Sequence, residues 1–326
     1  MRLLLRADAS ASIGAGHIAR MVAYAERAVA RGWRVAFSGR VENAEWLASR
    51  FDELGVSRVG SFDATGFDAV VVDHYGLGDL RKEVNAAGAL LVSIEDDVFG
   101  RRPADIVVDS GFAPSPRPDD GSDVLLRGIA YAPLRDVVRG TRRVLSGPPL
   151  HVTLALGGSD ERAPTAGLLL RALRDTELPF TADVLVRGEP ALPDLRPDQS
   201  IRVAAPSPAL LELFATTDVA VSASGVTFVE LCCLGVPTAA VLLVDNQEAG
   251  YRAALELGLA AGLGPAESLA ERLPEVTAVL RSLLSDPALR RRLSETASAT
   301  VDGRGVDRVL DQVESRTGSV LGASYR

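Results

Sequence analysis

A chain of 326 residues with 47% apolar side chains can bury two cores, which points to a two-domain globular protein. Its net charge of −8 argues against nucleic acid or an anionic membrane surface as partner, because both reward clustered Lys and Arg. Cys232 and Cys233 are neighbours in one apolar run, which speaks against a disulfide framework or metal cluster and fits a reducing cytoplasm.

The opening MRLLLRAD reaches charge after three leucines, too short for a signal-peptide core, and no uncharged run approaches the ~20 residues that span a bilayer. Short apolar runs then alternate with segments of helical period: LLL (3 to 5), RVAF (34 to 37), AVVV (69 to 72) and LLVSI (90 to 94) read as strands. Between the first two, Ile18, Met21, Val22, Ala25 and Val29 recur at three- and four-residue steps from His17 to Arg31, and Gly32 supplies a stop. APSPRPDDGSD (113 to 123) reads as a surface loop. The Gly- and Pro-containing stretch TRRVLSGPP (141 to 149) reads as a linker, dividing a domain of residues 1–145 from one of 146–326.

After it come the strands HVTLAL (151 to 156), ADVLV (182 to 186), IRVA (201 to 204), DVAVS (218 to 222) and TAAVLL (238 to 243). Helices are expected over 164–174, 207–216, 226–235, 246–257 and most of 267–317, the last a candidate to cross back to the first domain. The pattern is α/β: two doubly wound, Rossmann-like halves facing each other across a cleft at the carboxyl ends of their strands.

Each motif that could carry chemistry sits where a strand hands over to a helix. In IGAGH, glycines 14 and 16 allow close backbone approach and His17 falls in the first helical turn, where the dipole disfavours the imidazolium form. A histidine merely packing at a helix start explains those residues equally well. In LGGSD the amides of Gly157, Gly158 and Ser159 could cradle a phosphate, or form an ordinary glycine turn. In SASGVTFVELCCLG, small residues Ser224 and Gly225 open a helix with Thr227 in its first turn and Glu230 one turn on. That offers amides to a diphosphate and a carboxylate to ribose hydroxyls, although a Ser cap with a capping-box Glu accounts for most of it. In VDNQ, Asn246 and Gln247 could reach a sugar or simply begin a helix. VVVDHYG and SIEDDV place Asp73 and Asp96 at strand ends, to orient His17 or a water, or to cap the next helix. Scattered histidines at 17, 74 and 151 argue against a metal.

Taken in order, RADASASIGAGHIAR, VVVDHYGL, SIEDD, AYAPLR, LALGGSD, SASGVTFVELCCLGVP, VDNQ and VDGRGVDRV resemble the nucleotide-sugar hydrolases of pseudaminic acid synthesis and related spore-coat polysaccharide proteins, from residue 2 to about 315. The resemblance implies the GT-B architecture, no cofactor, and a hydrolase acting on a UDP-linked deoxy or amino sugar. His17 would be the base that activates water. Gly158, Ser159, Ser224, Gly225, Thr227 and Glu230 would hold the nucleotide, and Asp8, Gly16, Tyr75, Asn246 and Gln247 the sugar, with Asn246 also counted among the catalytic groups. The chain departs from the pattern at Ser224 and Val226, where a glycine and a serine are usual, and at Ser110.

Nucleoside diphosphate is a good leaving group, so departure needs positive electrostatics rather than paired carboxylates, whereas water benefits from one positioned base. A glycosyltransferase with the same plan, or a binding protein without turnover, are the alternatives. The sequence displays no obvious apolar or basic patch near its first half for a lipid acceptor, which favours hydrolysis. The expected partner is thus the nucleotide sugar itself, with no nucleic acid, no stable membrane insertion, and a monomer or weak homodimer in the cytoplasm.

Overall fold

The leucine and valine runs become strands, and every strand pairing is parallel, which explains why residues on both faces are apolar. In the computed structural model the described residues are 1–326 except 11, 12, 14, 145, 146, 158–161, 206–209 and 324–326, and the side chains of 210, 211, 246 and 318–323 also lie outside the description. The chain divides into two units, Met1–Asp136 with Gly303–Arg326, and Val137–Asp302.

The first unit contains β1 (Arg2–Ala7), β2 (Arg34–Ser38), β3 (Ser57–Val59), β4 (Ala69–Asp73), β5 (Leu90–Glu95), β6 (Ile106–Asp109) and β7 (Val124–Arg127), in the order β3-β2-β1-β4-β5-β6-β7. The second contains β8 (Leu150–Ala155), β9 (Phe180–Leu185), β10 (Gln199–Ala204), β11 (Val219–Ala223), β12 (Thr238–Leu242) and β13 (Ala261–Pro265), in the order β10-β9-β8-β11-β12-β13. In each sheet the order reverses beside the first strand, between β1 and β4 and between β8 and β11. Doubly wound sheets take ligands at this point, at the carboxyl ends of the strands. The expected α/β class of two doubly wound sheets therefore holds.

In the first unit, Leu4, Val70, Val72 and Leu91 pack on one face with Val84 of the helix Arg81–Ala86. The helix Gly16–Ala30 follows β1 and buries Ile18, Met21, Val22 and Ala25, as their spacing predicts, then stops before Gly32 in the left-handed region at φ 75°. In the second unit Val152, Leu154, Val221 and Val241 form a core with Leu169, Leu280 and Leu283.

Several expectations change in detail. The division falls at Asp136/Val137 rather than 145/146, because Val138 joins a core cluster with Ala155, Leu185 and Phe214. Arg143 extends the same attachment by donating to the carbonyls of Gly235 (2.6 Å) and Thr217 (2.7 Å). The helical stretch expected over most of 267–317 resolves into three helices, Leu273–Ser285, Pro287–Thr300 and Gly305–Ala323, the second capped by Asp286 ahead of Pro287. The loop 113–123 is not only a surface loop, since the almost fully buried Arg117 donates from Nη2 (2.9 Å) and Nε (3.1 Å) to the buried carboxylate of Glu95.

The final helix packs on the first unit: Arg27 Nε donates to Asp307 (2.9 Å) and Arg308 donates to the Ala130 carbonyl (2.8 Å). A Cβ at Gly305 would lie 2.3 Å from the Ala132 carbonyl oxygen. Gly305→Ala is therefore expected to destabilise the protein by about 1–3 kcal/mol through overpacking, read as a lower denaturant midpoint; an unchanged midpoint would show that the helix start relaxes freely.

Candidate active site

The carboxyl ends of β1, β4 and β5 bring together residues far apart in sequence. Ala7 at the end of β1 pairs with Asp73 at the end of β4. His17, only 4% exposed, places Nδ1 2.6 Å from Asp73 Oδ1. Arg20, one helical turn on, donates from Nε to Asp73 Oδ2 (2.6 Å) and from Nη2 to Oδ1 (2.9 Å). The other side of the same guanidinium donates to Asp96 Oδ1 (2.9 Å) and Oδ2 (3.0 Å), beyond β5. Tyr75 donates its hydroxyl to Asp96 and meets the His17 ring edge-on, with centroids 4.7 Å apart.

Burial opposes ionisation of Asp73, but the charge of Arg20 and the hydrogen bonds from His17 and Arg20 outweigh it and hold its carboxyl well below the usual carboxylate range. An ionised Asp73 only accepts, so His17 Nδ1 carries a proton and donates it. Arg20 Nη2, 3.0 Å from Nδ1, is then a second donor gathered around one acceptor rather than a partner of the ring. Nε2 has no hydrogen-bond partner among the described residues, and in the neutral ring it is the nitrogen that carries the lone pair. The helix N-cap, Ala15, makes no side-chain cap bond and the first turn holds no acidic residue, so the dipole at His17 is uncompensated from within the helix.

Asp8 and Tyr75 stand beside this group but have partners of their own. Asp8 accepts from Arg6 (2.9 Å), the Arg40 amide (2.8 Å) and His74 Nε2 (3.0 Å). Burial works to raise the Asp8 pKa, yet the bonds from Arg6 and Arg40 prevail and hold it at about 2. The Tyr75 hydroxyl is engaged by Asp96, so what the residue offers outward is its ring. Burial and then Asp96 push its pKa up. Gly16 is the first residue of the helix.

Tyr75 belongs to a feature that the sequence reading missed. Tyr75, Val98 and Phe99 are 41%, 52% and 41% exposed, and the rings of Tyr75 and Phe99 lie 5.7 Å apart. The turn that displays them closes by paired bonds between Asp96 and Phe99, followed by Gly100 at φ 75° against the Tyr75 ring. The expectation that the first half lacks an apolar patch is thus incorrect. A Val-Phe pair set in an acidic turn, EDDVFG, was its only local signal. Arg20 was also overlooked, and its signal was a cation one turn beyond His17 on the buried face.

The second unit presents a different chemistry at its own switch point. The helix Val226–Leu234 begins with Gly225 as N-cap and has no side-chain cap bond, so the Ser-cap alternative is not realised. Ser224 Oγ and Gln247 Oε1 are buried and have no hydrogen-bond partner among the described residues. A Cβ at Gly225 would come within 3.5 Å of Gln247 Nε2, which places both side chains at that helix start. Thr227 lies in the first turn, and Glu230, 2% exposed, lies one turn further. Asn246 occupies the short 3-10 turn Asp245–Gln247, and its side chain lies outside the described residues, as do Gly14, Gly158 and Ser159. Among the described residues no His/Cys/Asp/Glu cluster forms a metal site.

No protein-family model matches the chain. Over 219 residues it is 25% identical to the spore coat polysaccharide biosynthesis protein SpsG of Bacillus subtilis (strain 168), a match spanning 58% of this chain and 63% of that protein, under two thirds of its length. Acinetobacter baumannii MurG superposes with a TM-score of 0.63 at 17% identity, over 96% of this chain and 99% of that one. The spinosyn forosaminyltransferase SpnP gives 0.64 at 17%, over 98% and 99%. The fold is that of the GT-B glycosyltransferases. No described helix is long and apolar enough to cross a membrane.

The polar group around Asp8 has a consequence for stability. Gly76 N donates to His74 Nδ1 (2.9 Å), so His74 is neutral with its proton on Nε2 facing Asp8. Burial lowers the His74 pKa by more than Asp8 raises it. A histidine with a depressed folded pKa contributes stability above its unfolded value, about 6.5, and that stability is lost as pH falls below it. Denaturant midpoints taken from about pH 8 down to pH 5 should decline on the acid side, and decline less in His74→Gln; parallel curves would contradict this.

Proposed function

We propose that the chain is a nucleotide-sugar hydrolase of GT-B fold in which His17 is the general base. The observation that carries this reading is the 2.6 Å contact of His17 Nδ1 with Asp73, which leaves Nε2 as the available proton acceptor. In the proposed step Nε2 takes a proton from water, the water oxygen bonds to the anomeric carbon, and the carbon–oxygen bond to the diphosphate breaks with its electron pair leaving on the nucleotide. His17 is 4% exposed, a restriction that suits a nucleophile as small as water.

The leaving group is assigned to the second unit. The uncapped start of Val226–Leu234, with Ser224, Gly225 and Thr227, offers amides and a hydroxyl to a diphosphate, and the unpartnered Ser224 Oγ and Gln247 Oε1 are groups that a ligand would satisfy. Gly158, Ser159, Asn246 and Glu230 are assigned to the same substrate by the motif resemblance, Glu230 to the ribose. Asp8, Gly16 and Tyr75 are assigned to the sugar. The spore-coat polysaccharide relative supports a carbohydrate pathway.

A second reading, an inverting glycosyltransferase, has its own observation: the exposed Tyr75, Val98 and Phe99 beside His17 suit an apolar acceptor alcohol, and the fold is shared with a forosaminyltransferase. Incubating the protein with UDP-, GDP-, CDP- and dTDP-sugars in ¹⁸O-water, with and without alcohol acceptors, separates the two. Hydrolysis gives free sugar labelled at the anomeric carbon; transfer gives unlabelled glycoside only when acceptor is added; nucleotide binding without either product would overturn both.

His17→Ala should lower turnover by about 10²- to 10⁴-fold while nucleoside diphosphate affinity, measured by calorimetry, stays within about twofold. Normal turnover would remove His17 from the chemistry. Glu230→Ala should raise KM by more than it lowers kcat, as loss of uniform binding does; an unchanged KM would take Glu230 out of the nucleotide site.

A further inference from the structure

Among the described residues the cation bonded to the His17 group is Arg20, and its position is more constrained than a stabilising ion pair requires. Its guanidinium lies between two carboxylates, with both Asp73 oxygens on one side and both Asp96 oxygens on the other. Asp73 Oδ1 is the shared atom: it accepts from Arg20 Nη2 and from His17 Nδ1, so the plane in which Arg20 holds the carboxylate decides where the imidazole proton is held. Asp96 in turn accepts from Tyr75, whose ring abuts His17.

With His17 neutral, Arg20, Asp73 and Asp96 sum to a charge of −1; Arg20 and Asp73 are buried, and the Asp96 side chain is 33% exposed. The other titratable or charged groups around it are His74 next to Tyr75, the Arg6–Asp8 pair beyond β1, Tyr24 on the same helix and Arg102. The carboxylate of Asp8 is neutralised by Arg6. Tyr24 is uncharged, because burial and then the Asp73 charge push its hydroxyl up. Arg102 donates to the His74 carbonyl rather than to Asp73. Arg20 is thus the cation bonded to Asp73. If it were removed, the buried carboxylate would be left with His17 as its nearest source of positive charge, and a proton drawn onto Nε2 would supply it.

We propose that Arg20 is a positioning residue for the base: by taking one face of Asp73 it keeps the second proton off His17 and holds Nε2 as an acceptor. This rests on the reading of His17 as base for its functional meaning, but the protonation of the ring can be observed without any substrate. Arg20 touches no reacting atom, and its two carboxylate partners explain why it is buried on a helix whose buried face is mostly aliphatic.

The test is long-range ¹H–¹⁵N NMR of the imidazoles in the full chain at about pH 8, with His17 assigned by the resonances lost in His17→Gln. The wild type is expected to show a protonated Nδ1 and an unprotonated Nε2. In Arg20→Met, which keeps the side-chain length and loses the charge, Nε2 is expected to carry a proton in most molecules. On a nucleotide sugar that the wild type turns over, kcat should fall about 10²-fold or more, as when a catalytic histidine is held in the wrong state, with KM within about twofold. Arg20→Lys, which keeps a charge without the bidentate plane, should restore part of the wild-type ¹⁵N pattern and at least about tenfold of the lost rate. A folded Arg20→Met protein, or a folded Arg20→Gln protein where the methionine variant does not fold, with the wild-type ¹⁵N pattern overturns the proposal and leaves Arg20 a structural ion pair. A shifted pattern in a protein that turns over no nucleotide sugar upholds the positioning role and removes the proposed reaction.

Discussion

One buried carboxylate organises the first unit. Asp73 ends a strand whose residues are all buried, and an ionised group there persists only if it is paired and hydrogen-bonded. The helix after β1 meets that demand with two side chains one turn apart, His17 and Arg20. The requirement acts in both directions. The carboxylate is held ionised by its partners, and the partners are held in single orientations by the carboxylate, so the imidazole cannot flip without losing its only acceptor. A histidine at a helix start is ordinary; one whose Nδ1 proton is committed to a buried acid has its other nitrogen defined.

The second unit uses the same position in the sheet for the opposite kind of chemistry. Where the first places side-chain charge at the reversal of strand order, the second places an uncapped helix start, a glycine and small polar residues, with two buried polar atoms lacking partners. Backbone amides and a helix dipole suit a ligand whose charge is spread over several oxygens, because they come at fixed spacing and cost no side-chain entropy to order. Nucleoside diphosphate has that distribution. A diphosphate leaving group needs positive electrostatics for its departure rather than a pair of carboxylates.

The aromatic surface beside His17 bears on which oxygen nucleophile His17 would serve in the proposed role of base. Tyr75 is held by its hydroxyl to Asp96 and presents a ring, and the Asp96–Phe99 turn sets a second ring next to it. A platform of this kind sits equally well against the carbon face of a sugar or an apolar alcohol. The shared GT-B fold supports both, since activity on this architecture follows the groups at the strand ends rather than the sheets that carry them.

Local periodicity made most of the fold legible in the sequence. Runs such as LLL and AVVV are apolar on both faces, which only a parallel sheet covered by helices tolerates, and the helix from His17 follows from side chains spaced at three and four residues. The handover of each strand to its helix placed His17, Asp73, Asp96 and Ser224 at strand ends. The short edge strands β3 and β7, and β13 with its two glycines, carry too little pattern to be read this way. What only the tertiary structure decided was which of those strand-end groups meet. Asp73 turned out to orient His17 and Asp96 to hold Arg20, although capping the next helix explained either acid just as well in isolation. Arg20 looked like any helix cation until two carboxylates, 53 and 76 residues away, closed on it. Val98 and Phe99 became a surface only when their turn was set against Tyr75. Secondary structure depends on neighbours within a few residues, whereas a proton's location depends on charges that the chain brings together from separate strands.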